Sequence, residues 1–407
     1  MESINLANTG FVLLCTALVF LMTPGLAIFY AGFSREKNML NIMFQNFICL
    51  GVVSVLWALV GFSLAFGPDV FGVIGSLTAY WFLHDVSTAP NPVYSASVPF
   101  ILVFGYQMMF AVITPALMTG AFAGRLRMGP YIKLVCLWLL LVYVPVAHWV
   151  WGGGFLHNFG VVDFAGGLVV HTTAGISAMM IALYLGKRVN QDNTPANLPL
   201  SAIGTGLLWF GWFGFNAGGA YAPDKLAAHA FINTTLAASV AMLVWLFWQR
   251  VTTGKMNFSG LMVGSVAGLA TITPAAGYVE ASSAMIIGLV GATLCFWAKN
   301  VQEYLKIDDA LEVWRAHGVG GISGTIMVGI FANDAVDGIS ASLSLFARQS
   351  VAVIIIAAYS WLITWLILKL IDQNNDIRID AINENKGLDI FELDETAYNI
   401  DESNKQQ

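Results

Sequence analysis

Two histidines set the chemistry to look for. His171 lies in DFAGGLVVHTTAGIS, residues 163–177, and His317 opens HGVGGIS, residues 317–323. Each is followed at the same offset by a small residue and then Gly-Ile-Ser, 146 positions apart. An ionisable side chain inside an apolar run is costly, and so marks function by default. A neutral imidazole offers one donor and one acceptor nitrogen, so a facing pair can take up a proton and pass it on. Either histidine alone also fits a plain packing role, bonding a neighbouring helix; the matched pair argues against it. Neither has a cysteine or carboxylate at zinc-ligand spacing and HExxH is absent, so no metal and no cofactor are expected.

The elements that must position these rings are membrane helices. Of 407 residues, 57% are hydrophobic and 10% charged, with a mean hydropathy of +0.73. A soluble domain does not have that composition. Apolar runs of about 17 to 25 residues, enough to cross a bilayer, recur at 11–33, 42–66, 98–122, 132–151, 165–186, 199–217, 227–249, 258–276, 282–300, 316–332 and 347–370. The expected fold is all-α and integral to the membrane, with eleven spans.

Lysine and arginine are retained on the cytoplasmic side. Sixteen fall in one set of alternate loops and the C-terminal end, and only Lys225 and Arg348 in the other. This predicts an outside N-terminus, no cleaved signal peptide and a cytoplasmic C-terminus. Residues 1–370 form the membrane domain and 371–407 a separate acidic tail, with ten acidic and three basic side chains. No nucleic-acid partner is expected. The four cysteines lie inside apolar spans, where they read as small buried hydrophobes.

His171 falls in the fifth span and His317 opens the tenth, so two five-helix halves plus a final helix place them in equivalent positions. Five is odd, so the halves have opposite topology, an arrangement that builds a site near the bilayer midplane. The small residues after each histidine allow close helix crossing. The two rings are expected to face one another.

Other motifs carry a family resemblance. MTPGLAIFYAGFSREKNMLN, AHWVWGGG, DFAGGLVVH, WFGFNAGG and DDALEVWRAHGVGGISG occur in that order, and over residues 5–370 the chain resembles the Amt/Mep/Rh ammonium transporters, the bacterial Amt branch in particular. The resemblance implies a homotrimer in the cell inner (plasma) membrane, contacting lipid, with a narrow hydrophobic pore in each subunit. It places the twin pore histidines on His171 and His317, the stacked outer phenylalanines on Phe110 and Phe215, the aromatic that recruits the cation on Trp151, and the invariant aspartate on Asp163. Tyr106 and Gln107 take the place of a Phe-Gln pair in the outer vestibule.

The chemistry implied is ammonium transport by deprotonation. An indole attracts a cation by about 0.5 to 2 kcal/mol, while an unpaired charge in an apolar medium costs on the order of tens of kcal/mol before relaxation. Ammonium can shed a proton at the histidines or near Asp163; potassium cannot. Asp163 also has the position of a helix N-cap for the fifth span, and the aromatic residues are also common at membrane interfaces. His148, His84, His157 and His229 read as ordinary surface or interfacial residues.

Three departures stand out. Gly219 replaces a serine whose hydroxyl helps to bind ammonium. Arg315 replaces a small residue; it reads as a snorkelling cytoplasmic anchor or a barrier to an exiting cation, with Glu312 or Asp309 as its partner. In the tail, GLDIFELDETAYNI carries Leu393 and Asp394 where relatives have His-Gly, which bears on regulation by a PII-type signal protein. These departures keep open a second function, an ammonium sensor that signals through its tail or through a fused cytoplasmic module beyond residue 407. An intramembrane enzyme is not expected, since Gly-x-Ser-x-Gly, HExxH and paired intramembrane aspartates are all absent.

Overall fold

A computed structural model describes residues 4–192, 194–373 and 377–398. Long helices dominate: α1 (Leu6–Phe33), α2 (Glu36–Phe66), α3 (Phe100–Phe122), α4 (Met128–Phe159), α5 (Gly167–Leu185), α6 (Leu198–Ala220), α7 (Lys225–Thr253), α8 (Phe258–Ile272), α9 (Ala281–Tyr304), α10 (314–331) and α11 (Leu343–Asp372). Among the described residues, nine are long and apolar enough to cross a membrane. The two exceptions are α8, which stops just before Pro274, and α10, which begins as a π-helix over Trp314–Val319 and continues as α-helix over Gly320–Phe331. Most helices run past the apolar stretches expected for them. α1 starts at Leu6, capped by the Asn5 side chain, which accepts the Asn8 N–H.

The interior helices α3 to α5 are the most buried, and the outer ones expose apolar rows such as Leu243, Phe247, Ile354 and Leu362. That inversion suits a chain whose solvent is hydrocarbon. Two short antiparallel hairpins, Asp69–Val70 with Ile74–Gly75 and Pro90–Asn91 with Ser95–Pro99, lie together in the stretch between α2 and α3. Arg35, Arg125, Arg188, Arg315 and Arg378 gather at the other end, called here the basic end. Arg125 is its hub: buried, it donates to the Gly186 and Asp308 carbonyls at 2.6 and 2.7 Å, and Arg188 grips the Asp308 carboxylate at 2.6 Å.

The described tail is folded onto that end. Ile379 N–H donates to Arg125 O and Arg127 N–H to Ile377 O, Arg378 pairs with Glu384 at 2.8 Å, and the Asp389 carboxylate accepts the Leu40 and Asn41 N–H groups at 3.0 and 2.8 Å. Asp389 thus caps a turn of α2 from 349 residues away in sequence. The polar stretch 401–407 and any module after it lie outside the described residues.

Candidate functional site

Close packing of glycine sets the two histidines. α5 and α10 cross where a Cβ on Gly175 would stand 2.1 Å from Gly318 N, and where a Cβ on Gly321 would stand 2.8 Å from the His171 Cβ. Gly175 and Gly321 each lie four residues after one histidine and meet backbone beside the other. The exchange is reciprocal. Both histidines also sit in π-helical turns, Gly167–Thr172 and Trp314–Val319, which displace a side chain from ordinary helical register and concentrate at functional sites.

The expected facing of the rings is found. Nδ1 of His171 lies 3.2 Å from Nδ1 of His317, with ring planes 25° apart, and both residues are buried. His171 Nε2 has no protein partner. The rings border a narrow cavity whose other walls are apolar: Leu26, Phe29, Ile113, Leu208, Trp212, Phe215 and Val266 among them. Trp212 lies parallel to His171 at 5.5 Å and is fixed by its indole N–H, which donates to Thr273 Oγ1 at 2.9 Å.

Phe215 stacks on His171 at 5.9 Å, Phe110 packs on Phe215 at 4.4 Å with the rings tilted by 41°, and Trp151 meets Phe110 edge-on at 5.9 Å. Trp151, Phe110, Phe215, His171 and His317 therefore make one continuous column. Trp151 is only partly buried, and its indole N–H donates to Asp163 O at 2.9 Å, which fixes the ring.

Asp163 is a helix cap. Its Oδ1 accepts Gly166 N–H and Gly167 N–H at 2.9 and 2.7 Å, and its Oδ2 accepts Leu168 N–H and Val169 N–H at 2.7 and 3.1 Å. All four unpaired donors at the start of α5 are thus satisfied by one carboxylate. Gly166, at φ +117°, makes the turn that lets the chain double back this way.

Tyr106 and Gln107 lie beside the column, Tyr106 meeting Phe110 edge-on at 4.9 Å. Tyr106 is buried and donates to the Gly214 and Phe215 carbonyls at 3.0 and 2.9 Å, tying α3 to the end of α6. Gln107 Nε2 donates to Tyr221 at 3.1 Å, and its Oε1 has no partner. Gly219 borders Phe164, whose carbonyl would stand 3.1 Å from an added Cβ.

Two expectations are corrected. His148 is not a surface residue: it is fully buried, with Nε2 2.8 Å from Asp69 Oδ1 and Nδ1 2.9 Å from Ala65 O. That bond draws the Asp69 carboxyl below its usual range. Its partners lie 79 and 83 residues away, beyond the reach of spacing arguments. Arg315 does not snorkel to water but is 4% exposed, and its carboxylate partner is Glu312, at 2.6 Å; Asp309 instead accepts the Trp314 N–H at 2.7 Å.

A multi-pass helical bundle around an apolar, histidine-bearing passage defines a membrane protein of the transporter class. Residues 10–398 match the family described as Ammonium Transporter Family, and the chain belongs to it. It is 44% identical to the putative ammonium transporter of Methanothermobacter thermautotrophicus, over 98% of this chain and 99% of that one. It superposes on the crystal structure of Candida albicans Mep2 with TM-score 0.86 and 37% identity, covering 92% of this chain and 86% of that chain. It superposes on a structure titled Sensor Amt Protein with TM-score 0.89 and 30% identity, covering 95% and 98%.

Proposed function

We propose that this protein moves ammonium across a membrane by taking the proton from the cation and passing neutral ammonia along the column from Trp151 to His317. The observation that carries this reading is the 3.2 Å Nδ1 contact between two buried imidazoles in an otherwise apolar passage. A contact between two ring nitrogens needs a hydrogen on one and a lone pair on the other. Ammonium meets the Trp151 ring face first, beside Phe110. Phe110 and Phe215 then close the way to a hydrated ion, because no polar group replaces its water. Potassium has no proton to give up and stays outside.

In this reading all eleven helices cross the bilayer, as two inverted five-helix halves plus α11. The reciprocal Gly175 and Gly321 contacts and the paired π-turns support the inversion. The basic end faces the cytoplasm of a cell inner membrane and the N-terminus lies outside. Three copies assemble as a homotrimer through the apolar outer faces, and 371–407 is a distinct cytoplasmic tail available to a PII-type protein. The likeness to a sensor protein supports a second reading, binding with signalling and little flux. Purified protein in liposomes separates the two: ammonium-dependent internal pH change or current is expected, and saturable binding without either leaves the sensor reading.

A further inference from the structure

Arg315 stands two residues before His317, inside the bundle, and every part of its guanidinium is engaged. Nη1 donates to Glu312 Oε1 at 2.6 Å, Nε to Cys295 O at 3.1 Å and Nη2 to Phe296 O at 3.1 Å, while Cζ lies 5.1 Å from the Trp245 ring centroid. A guanidinium keeps its charge in proteins, and holding one here takes a carboxylate, two carbonyls and an aromatic face. Glu312 meets it from a left-handed backbone, φ +65°, that residues other than glycine seldom adopt. Arg315 and Glu312 both border the wide cavity at the basic end, whose other charged walls are Arg35, Arg188, Lys299, Asp192 and Glu303. Phe29 is a wall of that cavity and of the histidine cavity alike. Phe29 thus separates the two cavities, and the arginine lines the one at the basic end.

We propose that Arg315 is a specificity-determining residue: a tethered cation that occupies the Glu312 carboxylate, which would otherwise draw alkali ions to the basic end, so that potassium competes weakly with amine at that mouth. The inference rests on the transport reading. The two mouths differ in kind. At one, the Trp151 ring face attracts a cation; at the other, the Glu312 carboxylate that could do so is spent on the Arg315 charge. Neutral amine is indifferent to that charge.

The test is labelled methylammonium uptake into right-side-out and inverted membrane vesicles holding the full chain, with potassium chloride as competitor. Arg315→Gln should raise several-fold the ratio of potassium inhibition of basic-end uptake to potassium inhibition of uptake from the Trp151 end. Arg315→Lys, which keeps the charge, should restore the native ratio. Glu312→Gln frees the arginine's charge and should move the ratio the opposite way. If native protein carries amine but neither Arg315→Gln nor Glu312→Gln changes the ratio, or if Arg315→Gln depresses both directions alike and Glu312→Gln gives no directional change, Arg315 is only a structural ion pair. Native protein that carries no amine in either orientation sinks the transport reading, and this inference with it.

Discussion

The Nδ1 atoms of His171 and His317 face one another at 3.2 Å, so the neutral pair holds opposite tautomers: one ring donates through Nδ1 and keeps a bare Nε2, the other accepts at Nδ1 and carries its hydrogen on Nε2. The bare Nε2 is where a further proton can land without breaking the contact. His171→Leu removes that nitrogen pair, and rejection of potassium should weaken by about ten-fold or more, equivalent to about 1.4 kcal/mol. Ammonium flux measured against rising potassium checks it. Undiminished rejection would place selection elsewhere in the column.

Asp163 satisfies four N–H groups. A typical N-cap is worth about 0.5 to 2 kcal/mol, so Asp163→Ala should cost at least the top of that range, about 2 kcal/mol, and Asp163→Asn, which retains one acceptor oxygen, less. Thermal unfolding in detergent gives the order. An unchanged melting temperature with a raised KM would mean that the carboxylate acts on the arriving cation rather than on α5.

The crossing of α5 and α10 has no room for a methyl group. Gly175→Ala puts a Cβ 2.1 Å from Gly318 N, and overpacking of this kind costs roughly 1 to 3 kcal/mol. The helices must part, so the histidine contact should be lost with the stability. Gly206, exposed on α6 with nothing within 4 Å of an added Cβ, is the control. There alanine should be neutral or stabilising, by about 0.5 to 1 kcal/mol. Equal behaviour of the two variants in melting and flux would show that the crossing is loosely packed.

What the sequence disclosed about this site follows from locality. Matched spacing announced His171 and His317, and the small residues after each announced the crossing, because both signals lie within seven residues. The Asp163 cap was legible for the same reason. His148 and Arg315 were misplaced because their partners, Asp69 and the Cys295 carbonyl, come from other helices or loops. The π-turns leave no mark in hydropathy. They change register by one residue without changing composition, whereas α8 falls short as a span because it is 15 residues long and α10 because it carries Arg315 and His317 in a glycine-rich stretch.

The family resemblance places a serine hydroxyl where this chain has Gly219. Gly219→Ser would restore it, but its Cβ would sit 3.1 Å from the Phe164 carbonyl, an acceptor ready to take the hydroxyl hydrogen. The serine oxygen would then present a lone pair to ammonium, and a typical hydrogen bond contributes about 0.5 to 1.5 kcal/mol. Binding should tighten by roughly two- to ten-fold. Titration calorimetry showing no gain would mean that the cation does not dwell beside residue 219.

Asp309 tests how the basic end is held. It lies outside the membrane helices and accepts the Trp314 N–H at the start of α10 through Oδ2, while Oδ1 has no partner. Burial pushes its carboxyl up to about 6, against an ordinary value of 3.8. The folded state therefore disfavours the charged form, and the sign follows from linkage. The cost is absent below about 3.8, grows as pH rises from there to about 6, and is fully present above. Asp309→Asn keeps an acceptor for Trp314 and removes the charge, so it should stabilise the protein near neutrality and not at acid pH. Melting temperatures of the two proteins should diverge across that window and run parallel above it. A constant difference through the window would mean that the carboxylate is hydrated when folded, and that the start of α10, and with it His317, does not depend on an acid kept from water.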